Sequence, residues 1–360
     1  MTPTPTPPAD SASGHAPLKV MHVMACAAQG GAENIFLESV LALSEAPITQ
    51  CVVTRSNNSF RLEQIRARNI PLYIASFDRF ARWTTNRTLR SAIEKFDPDI
   101  IQYWSGRAGT FARQGRARTV GWYGGYYKLK RFRRCDFHVG LTADIIAHIQ
   151  AQGVSPECTQ LIHTYAEFKP ALPTPRASLD TPEDAPLLLA LARLHKKKGL
   201  DIALHALAKI PRAYLWIAGE GPLKEVLTRL AASLGLTDRV KFLGWRNDRG
   251  ALLAAADICV FPSRYEPFGT VMVDAWAAQT PLVACAAAGP KAYVENEKNG
   301  LLVDIDDVEG LTRAITRLIH DEDLKARLIK GGQDFHHSRF TKRAFINESL
   351  DFYQRILMRR

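Results

Sequence analysis

The sequence predicts an α/β protein built from two doubly wound domains, and three observations carry that expectation. From Leu187 onward, short apolar runs alternate with helical stretches across glycine turns, the pattern of a parallel sheet with crossover helices. The ordered part of the chain begins the same way, with strand, glycine turn and helix between Leu18 and Glu45, as such domains do. Between the halves, residues 169–186 hold five prolines, which marks a linker.

Taken in order, residues 1–17 are rich in Pro, Thr, Ser and Ala, without a basic start or apolar block. They read as a disordered tail and not as a signal peptide. The first domain is expected over 18–168. Its strands are Leu18 to Ala27, Gln50 to Arg55, Leu72 to Ala75, Ile100 to Tyr103, Thr119 to Trp122 and Phe137 to Leu141. Helices are expected over Asn34 to Glu45, Arg87 to Phe96, and from Thr142 to Gln152. The second domain, 187–338, repeats the alternation. Strands fit Leu187 to Ala192, Tyr214 to Ala218, Val240 to Leu243, Asp257 to Phe261, Pro281 to Cys285 and Leu301 to Val303. Helices fit Gly199 to Lys209, Pro222 to Leu234, Ala251 to Ala255 and the segment after Gly269. Two long helices are expected to close the chain, the last of them, in 339–360, packing back toward the first domain. A ligand cleft belongs between the domains, at the carboxyl ends of the strands.

The 360 residues carry a net charge of +11, which calls for an anionic partner: nucleic acid, a phosphorylated substrate or an acidic membrane surface. The six cysteines form no Cys-x-x-Cys pair and the ten histidines show no metal spacing. They read as buried thiols of a reducing compartment and unligated imidazoles, so no metal site is expected. No apolar run approaches the roughly 18–20 residues of a membrane span. The expected location is cytoplasmic, at most peripheral on a membrane face.

Five stretches carry candidate chemistry. Pro262 to Ala278 places a polar loop with Glu266, then Phe268, Gly269 and Thr270, between a buried strand and a helix. Thr270 suits the N-cap. The helix start would offer unpaired N–H groups to an anion, with Asp274 one turn in. Gln29-Gly30-Gly31-Ala32-Glu33 is a strand-to-helix turn whose glycines admit a ligand, although a tight turn explains them equally. Arg193-Leu194-His195-Lys196-Lys197-Lys198-Gly199 follows a strand end, where Arg193 and Lys198 suit a diphosphate. Gly219 to Pro222 and Gly244-Trp245 lie at the next two strand ends. Last, Arg107 to Arg134 holds nine basic residues, no acid and interleaved aromatics, which suits nucleic acid or an anionic membrane face.

Taken together, these motifs resemble the retaining glycosyltransferases of family 4, which have the GT-B fold, over most of the chain from Leu18. Glu266 and Asp274 resemble the family's Glu-x7-Glu signature. Arg193 and Lys198-Gly199 match its diphosphate-holding pair, and Gly30-Gly31-Ala32-Glu33 matches its facing glycine loop. Gly124 to Lys130 looks like the subset that builds bacterial lipopolysaccharide or other envelope glycans. The resemblance implies transfer of a sugar from a nucleotide diphosphate sugar to a glycan or glycolipid hydroxyl, with retention and without a metal or other cofactor. It implies catalytic roles for Glu266, Arg193 and Lys198. It implies donor binding by Gly30, Gly31, Gly219, Gly244, Trp245, Phe268, Gly269, Thr270 and Asp274, with Asp274 on the ribose. Two departures stand out. Asp274 is one methylene shorter than the usual Glu, and Trp122-Tyr123-Gly124-Gly125 replaces the region where many members carry a His. The competing classes are another GT-B enzyme, an epimerase or phosphorylase, and a basic nucleic-acid-binding module. The reading chosen has no nucleic-acid partner.

Overall fold

The computed structural model describes residues 17–359 apart from 26, 28, 29, 79, 81 and 169–171. Residues 1–16 of the expected tail, Cys26, Gln29 and Pro170, the first proline of the linker, therefore lie outside the described residues.

The first domain is a seven-stranded parallel sheet of β1 (Leu18–Met24), β2 (Ile48–Thr54), β3 (Leu72–Ile74), β4 (Ile100–Tyr103), β5 (Arg118–Tyr123), β6 (Phe137–Gly140) and β7 (Thr159–Leu161). Their spatial order is 3-2-1-4-5-6-7. Between them run α1 (Gly31–Leu43), α2 (Ser59–Arg66), α3 (Arg82–Phe96), α4 (Gly106–Gly109) and α5 (Ala143–Gln150). The second sheet repeats the order with six parallel strands, β10-β9-β8-β11-β12-β13. These are β8 (Leu187–Leu191), β9 (Tyr214–Ala218), β10 (Val240–Gly244), β11 (Ile258–Phe261), β12 (Leu282–Cys285) and β13 (Leu301–Val303). Its helices are α6 (Leu200–Ala208), α7 (Lys224–Ser233), α8 (Arg249–Ala255), α9 (Thr270–Ala277), α10 (Ala288–Tyr293), α11 (Val308–His320) and α12 (Glu322–Arg339); α13 (Lys342–Met358) ends the chain. In both sheets the order reverses beside the first strand, so each opens a crevice at the strands' carboxyl ends. The two crevices face one another, which is the GT-B architecture.

Strands β1 and β8 lie inside their sheets, each paired on both sides. Val20, Met21, Val23 and Leu187, Leu189, Ala190 are fully buried, which explains their continuous apolar runs. Three long helices, not two, close the chain, because Asp321 caps α12 through Leu324 N–H and breaks the run after α11. The sequence reading also lacked α2 and β7, which are short and only partly apolar. The proline-rich segment is tied down where described: the Arg176 guanidinium donates to Ala255 O and Ala185 O and pairs with Asp257 at 3.0 Å.

Helix α13 leaves the second sheet and seals the first. Phe352 packs edge-on against Phe137 of β6, Tyr165 lies over Phe345, and Glu348 accepts from His163 N–H at 2.9 Å. The Tyr353 hydroxyl, fully buried, donates to Gln102 Oε1 of β4 at 2.7 Å. Tyr353→Phe is expected to lower stability by about 1–2 kcal/mol, because it strands a buried acceptor. Urea unfolding measures this, and an unchanged midpoint would remove the anchor.

Candidate functional site

A cavity of about 610 Å³ opens between the two sheets. Its second-domain wall comes from loops at the ends of β8, β9 and β10, laced by backbone bonds. Leu194 N–H donates to Glu220 O at 2.9 Å and Gly219 N–H to Gly244 O at 2.7 Å. Arg193 is exposed and lines the cavity. Lys198 also lines it and pairs with Glu266. Gly199, at φ +61, brings the basic loop against β11: a Cβ there would stand 2.0 Å from Pro262 O. Only glycine permits both that conformation and that approach.

The N-cap of α9 is Gly269, at φ 100, with Thr270 as the first helical residue. The expectation that Thr270 caps the helix is thus corrected. The left-handed turn that re-aims the chain off the Glu266 loop favours glycine, which displaces the hydroxyl by one position. Gly269, Thr270 and Val271 still line the cavity. Opposite them is the start of α1, where a Cβ on Gly31 would stand 3.9 Å from Thr270 Oγ1. Two helix N-termini therefore converge across the cleft, and both favour negative charge.

The cavity brings together Glu266, Arg193, Lys198, Gly30, Gly31, Gly219, Trp245, Phe268, Gly269, Thr270 and Asp274. Gly244 does not line it and acts through its carbonyl on Gly219. Among the described residues, no three His, Cys, Asp or Glu side chains group as metal ligands would.

Asp274 is the residue whose setting differs most from the sequence picture. Its side chain is 8% exposed, with Oδ2 lying 3.2 Å from Arg249 Nε. Arg249 in turn pairs across the cleft with Glu38 of α1. Burial raises the Asp274 pKa against the pull of Arg249. Burial likewise raises that of Glu38, with Arg249 opposing and Asp274 adding to the rise. For Arg249 burial works against the charge, but Asp274 and Glu38 outweigh it and hold the guanidinium protonated. Glu38 and Arg249 were missed in the sequence. No local pattern links them, since they stand 211 residues apart in the sequence.

The first-domain wall carries Trp104 and Trp122, ring centroids 4.4 Å apart. Trp104 Nε1–H donates to His22 Nδ1 at 3.1 Å. That leaves the ring proton on Nε2, which donates to Gln50 Oε1 at 2.9 Å, and Gln50 Nε2 donates to Val40 O. Burial lowers the His22 pKa to about 4, with the Gln50 bond working the other way. A neutral imidazole thus fixes the ring of Trp104 at the cavity wall.

Residues 173–335 match the family described as Glycosyl transferases group 1. The lipopolysaccharide core biosynthesis glycosyltransferase LpsD of Rhizobium meliloti (strain 1021) is 34% identical over 356 residues, covering 95% of this chain and 100% of its own. LpsE of the same organism, of the same description, is 31% identical over 328 residues, 89% of this chain and 95% of its own. The crystal structure of Anabaena Alr3699/HepE in complex with UDP-glucose superposes with a TM-score of 0.83 at 20% identity, over 94% of this chain and 100% of that one.

Two outcomes follow from the electrostatics. Arg249→Met removes the cation between two carboxylates and is expected to cost about 2–3 kcal/mol, below the 3–5 of a fully buried pair. Because both acids have raised pKa values in the fold, the loss should grow as pH rises from about 5 to 8; urea unfolding at both ends checks this, and a pH-independent loss would contradict it. In ring ¹H–¹⁵N spectra His22 should remain the Nε2–H tautomer down to about pH 5, and a titration midpoint near the ordinary 6.5 would overturn its neutral role.

Proposed function

The chain belongs to the glycosyl transferases group 1 family, and from that premise we propose that it transfers a sugar from a nucleoside diphosphate sugar to a hydroxyl of a lipopolysaccharide core glycan, retaining the anomeric configuration. The observation that carries this reading is the convergence of two helix N-termini, Gly31 facing Thr270, beside Arg193 and the Lys198–Glu266 pair. That arrangement suits a diphosphate leaving group. The likeness to LpsD and LpsE along nearly their whole length supports the glycan class, and the UDP-glucose bound by HepE supports a nucleotide-sugar donor.

As the bond from the sugar to the diphosphate breaks, positive charge grows at the anomeric carbon and negative charge on the leaving oxygens. Arg193, Lys198 and the N–H groups at the start of α9 are placed to take up the negative charge. With these cations in position, the reading needs no metal. Lys198 and Glu266 pair with each other. A donor would engage Lys198 through phosphate and free Glu266 for the sugar hydroxyls. The ribose would meet the Asp274–Arg249–Glu38 cluster and not a bare carboxylate, which answers the missing methylene at 274. Trp104 and Trp122 offer an apolar wall to the sugar where many relatives carry a His. Because Glu38 and Arg249 bridge the domains, closure would exclude water that otherwise hydrolyses the donor.

Release of nucleoside diphosphate from a panel of donors tests the reading. Arg193→Ala and Lys198→Ala should each lower turnover by about 10²-fold or more, and Glu266→Gln should impair transfer more than nucleotide binding. Near-normal turnover in both cation variants would reject the assigned roles. Activity that survives a metal chelator would agree with a metal-independent step, and activity lost to it and restored by a divalent cation would not.

A further inference from the structure

Beside the cleft lies a second hollow, of about 540 Å³, on the first domain alone. It is lined by Arg107, Lys128, Lys130 and Arg131 together with Tyr126 and Tyr127. The four cations come from α4 and the segment after β5, which follow the carboxyl ends of β4 and β5, the same sheet edge that forms the cleft wall. All four are exposed, and among the described residues none has an ion-pair partner. The stretch from Arg107 to Arg134 contains no Asp or Glu. The carboxylate on the neighbouring helix, Asp144, is occupied by the Tyr126 hydroxyl. The fold thus concentrates positive charge in a concave place without supplying its counter-charge.

The hollow adjoins the reaction cavity closely. Trp104 lines the cavity and Gly106 the hollow; Gly124 lines the cavity and Tyr126 the hollow. Two residues of extended chain span at most about 7 Å, so one elongated ligand can occupy both. Tyr126 also touches the Tyr265 ring of the Glu266 loop, centroids 6.5 Å apart, and Gly125 packs against Pro267. Whatever fills the hollow therefore sits against the seam where the domains meet.

We propose that this hollow is an acceptor subsite for a phosphate or carboxylate group carried on the glycan, one or two sugar units from the hydroxyl that is glycosylated. The proposal rests on the transfer reading above and names the substrate feature that reading leaves open. A concave cluster of four cations suits a discrete anion on a flexible saccharide. Arginine grips such oxygens as a fork and lysine adds point charge. A flat bilayer surface would use the outward Arg133 and Arg134 equally and would not need the hollow.

The test uses the full chain and lipid-free core oligosaccharide from Rhizobium meliloti in three forms: native, stripped of phosphate, and carboxyl-reduced. Calorimetric titration reads binding without turnover. Wild-type protein should bind the native form at least about tenfold more tightly than one of the treated forms, with the difference shrinking as salt is raised. Which treatment weakens binding tells phosphate from carboxylate. Lys128→Gln/Arg131→Gln, at exposed positions that leave the core intact, should abolish the preference, and Lys128→Arg should keep it. Equal or absent binding of all three forms, or a preference retained by the double variant, overturns the proposal. So does a double variant that loses only its affinity for phosphatidylglycerol vesicles, which would make the patch a membrane contact. Nucleoside diphosphate release by the same wild-type protein is the separate control: its absence sinks the transfer reading, while the anion preference is judged on the titrations.

Discussion

The molecule turns on one guanidinium. Arg249 stands in the cleft with Asp274 on its own domain and Glu38 on the other, and it ties the walls of the cavity to each other. The cost of burying three charges is met by their mutual arrangement, and only while all three are present. Burial pushes both carboxyls upward and the Arg249 guanidinium opposes it. A ligand hydroxyl entering there meets acceptors and a donor already oriented, which is preorganisation of the kind binding sites require.

Around that centre the second domain supplies charge and the first supplies shape. Arg193, Lys198 and the start of α9 face the start of α1 with its paired glycines. Behind the first-domain wall, the chain Trp104–His22–Gln50–Val40 converts a buried polar network into a fixed aromatic surface. Every link is satisfied, which is what makes such a network rigid. The apolar core continues from the first sheet into one face of the second, so the cavity floor is packed protein and not a loose hinge.

Much of this was legible in the sequence, for a physical reason. Parallel strands buried on both faces must be continuous apolar runs, and loops at their carboxyl ends must hold the glycines and cations, so β8 to β12 and the Arg193 to Gly199 loop could be placed from spacing alone. The helix cap was misassigned by one residue because a hydroxyl and a left-handed glycine compete for the same role, and backbone geometry decided for Gly269. The Glu38–Arg249 pair left no trace, since partners 211 residues apart share no periodicity. Short elements such as α2 and β7 escaped because tertiary packing, not local pattern, holds them.

Helix α13 has a consequence for how the protein is made. The last elements of the chain complete the core of the first domain, through Tyr353 on Gln102 and Phe352 on Phe137. A ribosome releases the first sheet long before it releases the helix that covers it. During that interval the earlier domain waits with an uncovered apolar flank while the later domain folds in its entirety. Synthesis from one end therefore does not yield two finished domains in succession: the first sheet is covered only when α13 arrives.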